Sequence, residues 1–256
     1  MSYGLEVYAT NGALVASSDY PCLYQIPTPT IVNEFDTTRS GLRIRLLQTN
    51  ILASQLPPSL FIQMNLGDQV GLYGVEPVTI LINGVNTTIW EYQIVGANRG
   101  AIGSGYGKFS WYTELPLGST PAPGNSGFVV RNASNQIMFD SNRNALWMGD
   151  FFNHIGPTTV NKGSSAPFYS GLSFPLTQPT PPNAGLPYTN LLVSGTIAGL
   201  WSLSGPGTTF CMCPQYRVDG TAIDLTPWRD TGTDFSVGPA SISVGQFLTI
   251  AADSPT

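Results

Sequence analysis

The sequence predicts an all-β fold built from β-sandwich or jelly-roll-like sheets, and three observations support this prediction. Apolar and polar residues alternate with a period of two in short runs, the pattern of strands that bury one face. Clusters of Gly, Pro, Ser, Thr and Asn, which favour turns, separate these runs. No stretch keeps helical periodicity for more than about two turns. Short alternating strands between turns are typical of antiparallel sheets packed face to face.

A weak repeat connects the two halves of the chain. GLEVYATNGALVASS (residues 4–18) is similar to GFVVRNASNQIMFDS (residues 127–141), at an offset of 123 residues. In the first copy Asn11-Gly12 favours a type I′ turn, which places Val7 opposite Ala16 and Ala9 opposite Leu14. The corresponding contacts of the second copy join Phe128 and Val130 to Ile137 and Phe139. A duplicated domain and a chance likeness between two hairpins both explain this repeat.

More strands are predicted within each half. A hairpin spans residues 78–90, where Asn83-Gly84 forms the turn and the apolar residues of both strands share a face. The run 41–47 alternates apolar residues with arginine, and residues 237–251 predict a final strand pair around Gly245.

Two Pro-rich segments predict connections rather than strands. LPLGSTPAPGNSG (residues 115–127) directly precedes the second copy of the repeat, and PLTQPTPPNAGLP (residues 175–187) favours polyproline II. We therefore predict an N-terminal β domain (residues 1–116), a Pro/Gly linker (residues 117–126) and a C-terminal β domain (residues 127–256).

The charge content excludes several classes of function. Charged residues make up 10% of the chain, against roughly 25% in ordinary globular domains, and the net charge is −5. The ten Lys and Arg residues form no cluster, so we predict no nucleic-acid binding. Neither a signal-peptide pattern nor a membrane-length apolar run is present, so we expect folding in a cytoplasm and no membrane insertion. So few charges suit a packed assembly.

The sequence offers little support for catalysis. PGNSGF (residues 123–128) has the Gly-x-Ser-Gly pattern of trypsin-like proteases, but the single histidine, His154, follows Ser126 instead of preceding it. The nearest carboxylate pairs, Glu34/Asp36 and Asp230/Asp234, lie among residues typical of solvated loops. We predict that the chain is not an enzyme.

Metal and cofactor sites are likewise not predicted. Cys211 and Cys213 could join His154 in a zinc site, but they lack the paired C-x-x-C spacing of structural zinc sites. On a strand their thiols point to one face, which favours a buried, apolar role. With Cys22 the chain has three cysteines, too few for a disulfide framework.

Aromatic residues are the remaining candidates for a binding site. The chain has five tryptophans and eleven tyrosines, and Trp111, Tyr112 and Trp228 lie near Gly, Pro or polar runs. Aromatic side chains on loops stack on sugars or anchor protein interfaces, so these three are our candidate binding aromatics. Packing between the sheets explains the same residues equally well.

The repeated segments resemble the opening hairpin of small tail-associated proteins of bacteriophages with long non-contractile tails. Their pattern, YGL-x-V-(short polar)-G-x-(apolar)-x-x-DS, matches Tyr3-Gly4-Leu5 and Val7 in the first copy and Phe139-Asp140-Ser141 in the second. The first copy departs at residues 16–18, and the second at Ser126 and at its turn glycine. The resemblance implies a minor tail, tail-tip or tail-fibre protein, and it carries over no functional residue.

These observations lead to one main hypothesis and one alternative. The chain is expected to be a structural protein of the virion, at a phage tail tip, baseplate or tail fibre, made in the host cytoplasm. It would assemble with other tail proteins and with copies of itself, as a trimer or hexamer. The alternative is a receptor- or glycan-binding module at the distal end of the tail. A third hypothesis, a polysaccharide-degrading enzyme, would require two carboxylates that converge in a cleft, and the sequence does not indicate such a pair.

Overall fold

The computed structural model describes residues 6–8, 14–18, 21–39, 42–97, 109–124, 126–154, 158–162, 169–170, 172–176, 191–197, 200–202, 209–228 and 241–253. The strands in these ranges are β1 (Glu6–Tyr8), β2 (Leu14–Ser17), β3 (Tyr24–Ile26), β4 (Ile31–Arg39), β5 (Leu42–Leu52), β6 (Ser59–Gln63), β7 (Gln69–Ile82), β8 (Val85–Ala97), β9 (Phe109–Thr113), β10 (Val129–Arg131), β11 (Ile137–Asp140), β12 (Trp147–His154), β13 (Thr158–Lys162), β14 (Tyr169–Ser170), β15 (Ser173–Pro175), β16 (Leu191–Gly195), β17 (Leu200–Ser202), β18 (Thr209–Tyr216), β19 (Ala222–Trp228), β20 (Ser241–Val244) and β21 (Phe247–Asp253).

The predicted all-β class is confirmed. A six-stranded sheet has the order β12-β21-β16-β6-β9-β3, and an eight-stranded sheet has the order β15-β19-β18-β7-β8-β5-β4, with β17 beside β18. Two hairpins, β1-β2 and β10-β11, and a three-stranded sheet, β14-β13-β20, complete the described part. The strand pairs within these sheets are antiparallel. Within the described ranges, the chain contains no helix of the length and apolarity that a membrane crossing requires.

The two large sheets pack face to face around two apolar clusters. The first cluster joins Leu60, Ile62 and Trp111 of the six-stranded sheet to Tyr92 and Ile94 of the eight-stranded sheet. The second is built mainly from the C-terminal half and is formed by Met64, Leu191, Val193, Tyr216, Ile223 and Ala251. Each half of the chain therefore contributes a core of its own to one continuous sandwich, the arrangement expected for alternating strands.

The strand order repeats between the halves. From the centre outward, the six-stranded sheet reads β6-β9-β3 on one side and β16-β21-β12 on the other. The eight-stranded sheet reads β7-β8-β5 on one side and β18-β19-β15 on the other. In both halves of each sheet, the third strand from the centre comes first in the chain, the central strand comes second, and the strand between them comes last. This shared connectivity favours duplication over a chance likeness between two hairpins.

The two repeated hairpins share their register as well as their sequence pattern. Val7 pairs with Ala16 and Val130 pairs with Phe139, as predicted. In both hairpins the register then shifts by one residue. In the first hairpin Leu14 therefore pairs with Tyr8, whereas the predicted partner of Leu14 was Ala9. Such a shift marks a β-bulge, which an alternation pattern does not reveal. The predicted turn at Asn11-Gly12 lies outside the described residues.

The second hairpin turns at Asn135, the counterpart of the turn glycine in the first copy. Asn135 has a φ of 63°, a left-handed conformation that asparagine tolerates better than most residues. Residues 137–140 are all buried, so this strand packs on both faces and does not alternate as predicted.

The predicted Pro/Gly linker is held against the second hairpin. The buried carboxylate of Asp140 accepts hydrogen bonds from Ala122 N–H (2.8 Å) and Asn142 N–H (3.0 Å). Arg143 contacts the same carboxylate (Nε to Oδ2, 3.2 Å) and donates to Thr120 O (2.8 Å). We call this arrangement the Asp140 latch.

Two strands are present at the C-terminus, but they do not form the expected pair. β20 pairs with β13, whereas β21 pairs with β12 and β16. Only Gly245 and Gln246 separate β20 from β21 in the chain. Their separation reflects long-range pairing that the local sequence does not specify.

Candidate functional site

The structure buries two of the three candidate binding aromatics. Trp111 is 1% exposed and packs edge-to-face on Tyr92, with ring centroids 4.8 Å apart. Tyr112 is fully buried and packs on Phe61 in the same way, at 5.4 Å. Both belong to β9, which lies between β6 and β3 and is covered on both faces. The expectation of loop aromatics is therefore corrected for Trp111 and Tyr112, which are core residues.

Trp228, the third candidate aromatic, does not pack in the same cluster as Trp111 or Tyr112. It is half-buried and packs beside Cys211, its cross-strand partner in β18. Trp111, Tyr112 and Trp228 belong to three different clusters, so the structure brings no shared aromatic surface together from them.

Cys211 and Cys213 occupy buried positions in an apolar cluster, as small apolar residues do. Cys211 and Cys213 are fully buried on one face of β18, with their sulfur atoms 3.4 Å apart. Burial raises the pKa of the Cys213 thiol well above its ordinary value, which disfavours the thiolate that metals bind. In the described ranges no three His, Cys, Asp or Glu residues are grouped as metal ligands would be.

Ser126 lies on an exposed turn that is fixed by its neighbours. Gly127 next to it has a φ of 142°, and a Cβ there would lie 2.5 Å from Ser141 Oγ. The glycines of this motif thus allow close packing against residues 141–142. His154 lies at the end of β12 and pairs with Phe247.

The first carboxylate pair lies on a strand and not on a solvated loop. Asp36 contacts Arg45 (2.5 Å) and Arg43 (2.5 Å), and Glu34 contacts Arg45 (2.6 Å). Burial raises the pKa of Asp36, but hydrogen bonds from the two arginines outweigh it, so the pKa is lowered. These ion pairs line β4, an edge of the eight-stranded sheet, where charge discourages pairing with another chain. Asp230 and Asp234 lie outside the described residues.

A row of polar side chains crosses the eight-stranded sheet next to this edge. Asn33 donates to Gln48 Oε1 (2.9 Å), and Gln48 donates to Glu91 Oε2 (2.8 Å). Gln93 bridges Glu91 (3.2 Å) and Glu76 (2.6 Å). The Glu91 carboxylate is 3% exposed, and these bonds offset the cost of burying it. We call these five residues the polar row.

One aromatic residue is exposed beside the polar row. Phe35 follows Asn33 on the same face of β4 and is 45% exposed. Arg39, also on this face, contacts Glu76 (2.9 Å) and lies 3.6 Å from Glu91. An exposed ring beside amide and charged groups is a surface that can stack on a sugar.

The most distinctive surface is a hairpin that extends beyond the sheet. β5 pairs with β8 as far as Ile89, and β18 pairs with β7 at Gln69. Residues 78–89, which we call the arm, pair with each other, and among the described residues their other contacts in the strand ladder are at the base, where Ile89 pairs with Leu52 and Thr88 O accepts one hydrogen bond from Ala53 N–H. The predicted turn is confirmed, with φ of 50° at Asn83 and 80° at Gly84. The arm reaches about 15 Å from Val78 to this turn.

The arm contains no charged residue, and its Val, Ile and Leu side chains lie among three threonines, two asparagines and one glycine. Its predicted apolar side is confirmed by the pairs Val78–Ile89, Ile80–Thr87 and Ile82–Val85. We call this side the arm face; it consists of Val78, Ile80, Ile82, Val85, Thr87 and Ile89. Val85 is 63% exposed, and Leu81 on the opposite side is 69% exposed.

The corresponding hairpin of the other half lacks such an extension. β18 and β19 form six cross-strand pairs, whereas β7 and β8 form thirteen. The shorter hairpin ends at Arg217, which contacts Asp224 (2.6 Å) and Asp219 (3.9 Å). The shared strand order therefore does not require an arm, and the length and composition of the arm are specific to the first half.

Sequence reasoning identified the hairpin but not its projection. The useful signal was the stretch from Pro77 to Trp90, which is long for a hairpin and free of charge.

A scan against protein-family models, a search of curated proteins and a search of solved structures each found no match to this chain.

Proposed function

We propose that the chain is a structural virion protein of a phage tail tip, baseplate or tail fibre that acts by protein–protein assembly. The observation that carries this proposal is the arm, an uncharged ribbon with one mainly apolar side that extends beyond the sheets. A lone two-stranded ribbon is marginally stable in water, and exposed apolar surface on a projecting element is typical of interfaces.

The resemblance of the repeated hairpins to tail-associated proteins supports the tail location. The hairpins share the same bulged register at the same 123-residue offset, so the resembling segments are equivalent elements in the structure. The low charge of the chain supports close packing with neighbouring copies and other tail proteins.

Immuno-electron microscopy tests this function. Gold-labelled antibodies raised against the purified chain should bind one end of the tails of particles released from cells that carry the sequence. Particles lacking the label, with the chain absent from their protein content by mass spectrometry, would overturn the proposal.

Phe35 favours the second candidate, a receptor- or glycan-binding module. Its exposed ring lies on the same face of β4 as Asn33 and Arg39, and Arg39 contacts Glu76, so this face offers both a stacking group and the hydrogen-bonding groups that sugar recognition uses. A glycan array probed with the wild-type chain and Phe35→Ala tests this candidate. Saturable binding that Phe35→Ala abolishes supports it, and binding that Phe35→Ala leaves unchanged excludes this surface.

A further inference from the structure

The tip of the arm is an exposed Asn-Gly turn. Asn83 and Gly84 both have positive φ, of 50° and 80°, and residues 83–86 are all exposed. A Cβ built on Gly84 would meet nothing within 4 Å, so the space around this side of the turn is open. Water and solvent base therefore reach both residues freely.

The arm holds this turn closed only weakly. The strand pairing of the arm ends with Ile82 opposite Val85, and among the described residues its ladder contacts outside the ribbon lie at the base, where Ile89 pairs with Leu52. An isolated two-stranded hairpin is marginally stable in water, and segments with few contacts open locally at low free energy. The turn should therefore open often while both large sheets stay folded.

An open Asn-Gly turn can undergo a reaction that most turns resist. The Gly84 amide nitrogen gives its proton to solvent base and attacks Cγ of Asn83, and the new C–N bond closes a five-membered imide. The bond from Cγ to Nδ2 breaks, and Nδ2 leaves as ammonia with a proton from water. Glycine favours this attack because it has no Cβ to obstruct the approach of its nitrogen.

We propose that Asn83 is a site of spontaneous deamidation, a covalent modification that places a charge on the uncharged arm. Water, the only co-reactant, adds to either carbonyl carbon of the imide and opens the ring. Breaking the bond from nitrogen to Cγ leaves an aspartate at position 83, and breaking the backbone bond leaves an isoaspartate. Each product carries a new carboxylate. This inference concerns the chemistry of the turn and does not depend on the proposed tail function.

The modification changes both the charge and the shape of the arm. The chain has a net charge of −5, and the arm, which carries none of the charged residues, gains a carboxylate at its tip. The two-residue turn sets the register of both strands, and an isoaspartate adds one carbon to the backbone within that turn. Burying an unpaired carboxylate is costly, so a modified arm binds an apolar partner less well than a fresh one.

The second hairpin provides a matched comparison within the same chain. Asn135 also lies in an exposed turn with a left-handed φ, of 63°. The next residue, Gln136, has a side chain, and its backbone N–H donates to Asn132 Oδ1 (3.0 Å). The nitrogen that would attack Asn135 is thus both obstructed and hydrogen-bonded. We expect Asn135 to be modified at least about tenfold more slowly than Asn83.

Peptide mapping by mass spectrometry tests the proposal on the full chain, incubated in warm, mildly alkaline buffer made with water enriched in heavy oxygen. Position 83 should gain heavy oxygen and contain isoaspartate beside aspartate, because only the imide route forms both. The rate in the native protein should lie within about tenfold of the rate in urea, since the turn opens easily. The other Asn-Gly pair, Asn11-Gly12, lies outside the described residues and is followed in a separate peptide.

Gly84→Ala separates the chemistry from the opening of the turn. The substitution strains the turn and so favours opening, yet its Cβ obstructs the attacking nitrogen, and we expect modification at Asn83 to slow at least about tenfold. Circular dichroism checks that the variant keeps the fold. Three results would each overturn the proposal: a native Asn83 that stays intact while the chain in urea is modified, aspartate without isoaspartate, or Gly84→Ala modified as fast as wild type.

Discussion

Leu23 and Leu146 lie 123 residues apart in the chain, and Leu146 N–H donates a hydrogen bond to Leu23 O (2.8 Å). The offset is that of the repeated hairpins, so the two leucines occupy equivalent positions in the halves. Both pack on the cluster formed by Phe61, Tyr112 and Leu192. Equivalent residues that meet directly mark the place where the two halves face each other.

The Asp140 latch is expected to make a measurable contribution to stability. Asp140→Asn keeps the shape of the side chain but loses the charge that faces Arg143, and one amide oxygen replaces two acceptors. We expect a loss of about 2 kcal/mol in the free energy of unfolding, measured by urea denaturation. Asp219→Asn, at a carboxylate that is 55% exposed, is the control and should change little. Equal effects of the two substitutions would contradict the latch.

The buried thiols should be protected from modification. Cys211 and Cys213 are fully buried, and burial raises the pKa of the Cys213 and Cys22 thiols. In Cys22→Ser, reaction of the remaining two thiols with a maleimide should be at least about 100-fold slower in the native state than in urea. Rapid native labelling of both thiols would show that β18 is open to solvent.

The ion pairs of Asp36 predict a pH dependence of stability. The folded-state pKa of Asp36 is lowered, so its ionised form stabilises the fold above about pH 4, and this contribution is lost as the pH falls through the folded pKa. Asp36→Asn should cost about 0.5–1 kcal/mol at pH 7 and progressively less below about pH 4, by urea denaturation. Glu114→Gln, at an exposed carboxylate, serves as the control. A cost that does not vary with pH would disprove the ion-pair contribution.

Gly96 and Gly84 should respond differently to alanine. Both have positive φ, of 116° and 80°. A Cβ on Gly96 would lie 2.2 Å from Gln69 O, whereas Gly84 has nothing within 4 Å. We expect Gly84→Ala to cost about 1 kcal/mol from backbone strain alone, and Gly96→Ala about 3 kcal/mol or more. Thermal melts that rank the two variants in the opposite order would refute the packing of β8 on β7.

The elements that could be predicted from the sequence are those set by near neighbours. Asn83-Gly84 determines its own turn, and that turn fixes the register of the strands on either side. The alternation of Leu42, Ile44 and Leu46 with Arg43 and Arg45 also matches their burial. In these places the information lies within a few residues.

The rest depends on contacts between distant segments. Ile62 pairs with Val193, and no local pattern links two such apolar runs. Trp111 and Tyr112 follow polar, Gly-rich sequence, yet β6 and β3 enclose their strand. The arm projects because β5 ends its pairing at Ile89, which the sequence of the arm itself cannot indicate.

The pairing of β6 with β16 has a consequence for cleaved forms of the chain. Leu117, in the connection between the halves, is 70% exposed, and such a site is accessible to a protease. A cut there leaves both sheets hydrogen-bonded across the junction, so the two fragments should co-elute as one non-covalent particle. Each fragment alone would expose the unpaired central strands and aggregate. The chain should therefore support fragment complementation, with soluble protein recovered when the halves are co-expressed.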